Sequence, residues 1–197
     1  GLFDFAGGVT EALAAADTAV IALSGKSGLT VGAKQCFEKS RELGKSVVFF
    51  IGKLDSPHSH FYRVISALVA NYGSAVCPVV VPYLEEETVK CYVDLIENKA
   101  YAFDGTVKKE FRLPVSQEIS QMRDMLLEAV ASADEELMEK YFGGEEFTKE
   151  EIIKGLKAGI KSGDICPVYC GIQLTGEGVP LLVADLIEVL PQASELK

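Results

Sequence analysis

Apolar positions along this chain follow two different styles. Residues 18–23 (TAVIAL) and 46–51 (SVVFFI) are continuous apolar runs of strand length, the pattern of strands covered on both faces. An Ala-rich helical pattern over Val9–Ala16 precedes the first run. Between the two, Leu29, Ala33, Cys36, Phe37 and Leu43 recur at helical spacing and stop at Gly44, a residue type suited to C′. Ser56-Pro57 predicts the start of another helix, with Ser as N-cap and Pro in the first turn. Phe61, Val64, Ile65 and Leu68 share one face of that helix, which should end near Asn71-Tyr72-Gly73. The run AVCPVVVPY from Ala75 to Tyr83 predicts a further strand. Buried strands alternating with helices imply a mostly parallel sheet.

Near residue 84 the style changes. TVKCYVDLIENKAYAFDG, residues 88–105, alternates and predicts antiparallel strands with a turn at Asp104-Gly105. A long helix is expected from Val115 to Tyr141, with Ile119, Met122, Met125, Leu126 and Val130 inward. A shorter one over 148–160 opens on the capping-box pattern Thr148 to Glu151. At Ile165 the first style returns, with the strand ICPVYC and a helix over 179–190 that stops at Pro191. The expected fold class is α/β, a parallel sheet with helices interrupted by a smaller α+β insertion. The boundaries drawn are 1–75 and 165–197 for the sheet domain and 76–164 for the insertion.

Charge sharpens this division. Net charge is −10, and residues 84–164 hold 19 acidic against 11 basic side chains. Such a surface repels phosphate backbones, so direct sequence-specific nucleic-acid binding is not expected, and a protein with a basic face fits better. No apolar run reaches the roughly 20 residues needed to span a bilayer. The five cysteines (36, 77, 91, 166, 170) are scattered through apolar runs and read as reduced thiols of a cytoplasmic protein. The chain opens on Gly1 without Met, as a piece of a longer protein would.

Candidate chemistry is sparse. Gly25-Lys26-Ser27 resembles the end of a phosphate-binding loop, but the glycine required five residues earlier is Val20, in mid-strand. It reads as a strand-to-helix turn. Lys53 and Asp55 follow the carboxyl end of a strand, where open α/β sheets bind ligands. A carboxylate there can accept from guanine N1 and N2, and a lysine stem can cover the base. His58 and His60 lack partners that would complete a metal site, and no metal is assigned. Asp134, Glu135, Glu136, Glu139, Glu145 and Glu146 read as a solvated helix face that could serve for docking.

Taken together, the segments resemble the GTP-binding domain of translation elongation factor G, collinearly over nearly the whole chain. GLFDFAGGVTEALAAADTAVIAL is similar to the family's D-T-P-G-H-V-D-F stretch and the strand after it, entered at the last glycine of D-T-P-G. FFIGKLD falls on the N-K-x-D guanine motif, and residues 126–171 resemble the subdomain inserted in elongation factor G. GVPLLVADLIEVLP resembles the last helix of that domain and its exit. The resemblance implies a partial P-loop-NTPase-type sheet. It also implies GTP/GDP and Mg²⁺ as cofactors of the parent protein, hydrolysis of GTP by water, and the ribosome as partner. Stalk proteins are the implied contact of the acidic insertion.

By the same resemblance Gly1, Lys53, Asp55, Ile172, Gln173 and Leu174 are the nucleotide-binding positions. Leu2 occupies the place of the histidine that positions water and can neither donate nor accept a hydrogen bond, so no catalytic residue is assigned. Gly52 replaces the asparagine of N-K-x-D, and Ile172-Gln173-Leu174 replaces S-A-L. Without a phosphate loop and its lysine, the chain alone is expected neither to bind GTP tightly nor to hydrolyse it. The alternative is a degenerate, non-hydrolysing relative used as a ribosome- or protein-binding module. An unrelated flavodoxin-like enzyme would leave the acidic insertion unexplained.

Overall fold

The computed structural model describes residues 6–191. Four parallel strands form its centre. β1 (Thr18–Ser24) and β2 (Ser46–Gly52) pair in register from Thr18 opposite Ser46 to Ser24 opposite Gly52. β8 (Cys166–Cys170) lies between β2 and the short β3 (Val76–Pro78), giving the order β1-β2-β8-β3. Every residue of β2 and β8 is buried. β1, an equally continuous apolar run expected to be covered on both faces, instead alternates and leaves Val20 50% exposed, because it is an edge strand of the sheet. A helix α1 (Ala6–Ala15) precedes β1, and α2 (Val31–Glu42) packs on β1 and β2. Thr30 caps α2 by accepting from the Ala33 N–H, and Gly44 beyond it takes the left-handed φ of 67° that its place after a helix calls for.

The second sheet is antiparallel and consists of β4 (Val80–Glu85), β5 (Thr88–Asp94), β6 (Lys99–Asp104) and β7 (Val107–Phe111), in that order. The run from Ala75 to Tyr83, expected as one strand, is therefore two. Val79 is the corner: its N–H donates to Val168 O in the first sheet, and its own carbonyl accepts from Leu95 N in the second. A fully buried apolar run gives no sign of the sheet change, because both sides of the corner are equally covered. The Asp104-Gly105 turn joins β6 to β7, and residues 95–98 turn β5 into β6, Asp94 Oδ1 accepting from Ile96 N and Glu97 N.

Two helix expectations are corrected. The long helix over 115–141 is broken into α4 (Gln117–Ser132) and α5 (Glu135–Phe142). Asp134 ends the run by capping α5, its carboxylate accepting from Glu136 N and Leu137 N. Read as one of a row of solvated acids, it concealed a helix start. The helix expected from Ser56-Pro57 begins only at Phe61, as α3 (Phe61–Tyr72), closed by Gly73 and a 3₁₀ turn. Residues 53–60 instead fold over the end of β1, with His60 N donating to Gly25 O. That contact and a left-handed His58 hold the segment out of a helix.

α6 (Lys149–Ser162) carries the full Thr148–Glu151 capping box, and α7 (Val179–Val189) follows β8 and packs on it. Two bonds tie the layers together. The Tyr62 hydroxyl of α3 donates to Pro82 O of β4 at 2.9 Å, and the Arg123 guanidinium of α4 donates to Leu95 O. One continuous core runs through both sheets.

Candidate functional site

Three parallel strands end side by side, and backbone bonds staple their ends together. Gly25 N donates to Gly52 O at 2.8 Å, and Gly171 N donates to Ile51 O at 3.1 Å. The loops that leave β2 and β8 are thus neighbours at the carboxyl edge of the sheet, the place where sheets of this type bind ligands.

The β2 loop carries Lys53 and Asp55, both exposed, on either side of the buried Leu54. Lys53 has a left-handed φ of 57°, uncommon for a residue with a side chain and a feature that clusters at functional loops. Its N–H donates to Gln173 Oε1 at 2.8 Å, joining the two loops directly. The β8 loop is narrow: Ile172 N donates to Glu177 O at 3.0 Å, and Gly176 N to Ile172 O at 2.9 Å. Ile172 is therefore a buried packing residue whose N–H is spent within the loop. Among the described residues the Gln173 N–H has no partner and is available to a ligand. Leu174 is 90% exposed beside it. Tyr92 of β5 reaches the same loop, its hydroxyl donating to Glu177 Oε2 at 3.4 Å, and burial first of all raises its pKa.

Lys53, Asp55, Gln173 and Leu174 are thus brought to one edge, with Ile172 beneath them. Gly1 and Leu2 lie outside the described residues. Gly25 spends its lack of a side chain on packing: a Cβ there would lie 2.1 Å from Ser59 Oγ and 3.1 Å from Leu54 Cδ2. The Ser24 hydroxyl accepts from Lys26 N and Ser27 N, closing a tight turn and not a wide cradle. His58 and His60 fall in the β2–α3 loop, and among the described residues no group of three or more His, Cys, Asp or Glu could hold a metal ion. The role of Gln173's side chain was not legible in sequence. The pairing of a side-chain-free position 52 with a long amide at 173 was the available signal.

Open parallel sheet, stapled strand ends and two converging loops define an α/β domain with a ligand-type edge at the carboxyl ends of its strands. The family model for the elongation factor Tu GTP-binding domain matches residues 1–192, and the chain belongs to that family. It is 31% identical over 189 residues to an elongation factor G-like protein of Thermotoga maritima, covering 96% of this chain. It also superposes on a crystal structure of a Thermus thermophilus protein with a TM-score of 0.88 and 29% identity, covering 98% of this chain. The chain spans only 27% of the former protein and 29% of the latter.

Proposed function

We propose that this chain is the base-recognising part of the GTP-binding domain of an elongation-factor-G-like GTPase, a protein that binds GTP and acts on the ribosome during elongation. The observation that carries the reading is the meeting of Lys53, Asp55 and Gln173 where β2 and β8 end. Their chemistry suits guanine. Asp55 supplies a carboxylate for the N1 and N2 donors, the Lys53 stem an apolar cover, and the Gln173 N–H a donor for the O6 acceptor. Residues 6–191 contain no Gly-rich loop with a lysine shaped to hold a triphosphate. The 197-residue chain by itself should therefore bind GDP more weakly than about micromolar, since most phosphate binding energy comes from such a loop.

The acidic insertion is the proposed partner surface. Glu135, Glu139, Glu145 and Glu146 are exposed around α5, and Phe142 among them is 80% exposed. A basic protein surface with an apolar recess, as a ribosomal stalk protein could offer, fits that combination.

The test is Asp55→Asn in the full-length protein. An amide reverses one hydrogen-bonding partner, so preference should move from GDP towards xanthosine diphosphate. Unchanged discrimination between the two nucleotides would favour the non-hydrolysing binding module instead.

A further inference from the structure

Gly52 closes β2 and is buried, yet its φ is not positive, so backbone conformation does not require a glycine there. Space does. A Cβ on Gly52 would lie 2.0 Å from Gln173 Nε2, 2.4 Å from its Cδ and 2.6 Å from its Oε1. The Gln173 carboxamide, arriving from the neighbouring loop, sits where a side chain of residue 52 would be. It is held there by one bond, from Lys53 N to Oε1. This bond fixes which end of the amide faces which way. The Nε2 end donates to no described residue and lies over Gly52, 2.0 Å from where a Cβ of that residue would be, at the strand-end edge whose next residues include Lys53 and Asp55.

We propose that Gln173 is a specificity-determining residue of this site, a donor latched over Gly52 to read the acceptor edge of a guanine base. The inference rests on the guanine reading of Asp55 and adds to it. Guanine presents N7 and O6 as adjacent acceptors, whereas adenine presents a donor amino group beside N7. An amide N–H therefore favours guanine on one edge while Asp55 favours it on the other. Gly52 and Gln173 form a matched pair: the glycine is the socket and the amide its occupant.

The experiment measures GDP, ADP and xanthosine diphosphate affinity in the full-length protein, with thermal unfolding alongside. Gln173→Glu keeps an oxygen for Lys53 N but removes the donor. It should weaken GDP at least about tenfold and narrow the GDP-over-ADP preference, with little change in unfolding temperature. Gly52→Ala should evict the flexible amide without unfolding the sheet and weaken GDP to a similar degree. The double variant Gly52→Ala/Gln173→Ala should then be no weaker than either single one, because both remove the same interaction. GDP affinity within about twofold of wild type in Gln173→Glu, or additive losses in the double variant, overturns the proposal. If Asp55→Asn still shifts preference to xanthosine diphosphate in that case, the guanine reading survives and only the role of Gln173 falls. If the wild-type protein binds no GDP, both fall together.

Discussion

β2 and β7 are both short strands of one chain, but they live under different rules. All seven residues of β2 are buried, and all five of β7 are exposed. The first sits between β1 and β8, with helices packed on the parallel sheet; the second is the edge of the antiparallel sheet. The difference assigns tasks. A parallel sheet whose inner strands are covered on both faces delivers its strand ends to one edge, where a site can be held. The antiparallel sheet tolerates charge along its outer strand, and Lys108, Lys109 and Glu110 in β7 keep that edge from pairing with other chains.

The largest expected break of this comparison is in the buried strand. Phe49 is 0% exposed and stacks near Phe37 and Tyr72, so Phe49→Ala should cost roughly 3–5 kcal/mol in chemical unfolding. Val107 in β7 is 60% exposed, and Val107→Ala should cost less than about 0.5 kcal/mol. Equal losses would mean that the outer sheet is packed against something else.

The seam between the regions is next in size. Asp185 of α7 is buried with Oδ2 unpartnered, and burial, helped by Asp94 and Glu188, raises its pKa to about 8. The sign follows from the direction. A carboxyl raised on folding leaves stability intact below its ordinary value of 3.8 and erodes it as pH climbs towards 8. Asp185→Asn should therefore match wild type near pH 4 and exceed it at pH 8 by an amount on the order of a few kcal/mol. A pH-independent difference in denaturation midpoint would contradict this.

Smaller effects lie at α5 and in the antiparallel sheet. Asp134→Ala removes the α5 cap and should cost about 1 kcal/mol, seen as a lower unfolding temperature. Lys109 and Asp104 pair at 3.2 Å, but both are well exposed, and breaking them should change stability by less than about 0.5 kcal/mol.

The comparison also shows what the sequence could reveal. Period and continuity located β1, β2, β8 and the helices α2, α6 and α7, but the apolar run of β1 implied cover on both faces, whereas its alternate residues are exposed. Val79 was opaque: hydrophobicity records burial and not which sheet does the burying. Asp134 was misread since an acid in an acidic row looks solvated, while its capping role depends on a backbone turn. Lys53 and Asp55 were legible as strand-end polar residues. The lock between Gly52 and Gln173 was not, because it joins positions far apart in sequence through a side chain crossing between loops.

Amide hydrogen exchange of the full-length protein, with and without GDP, tests the central claim most directly. The proposed base site is at the carboxyl ends of β2 and β8, so on that proposal GDP should slow exchange across Gly52–Asp55 and Ile172–Thr175 and leave β7 unchanged. Equal exchange of those two loops with and without GDP, or protection centred on β7, would contradict the account.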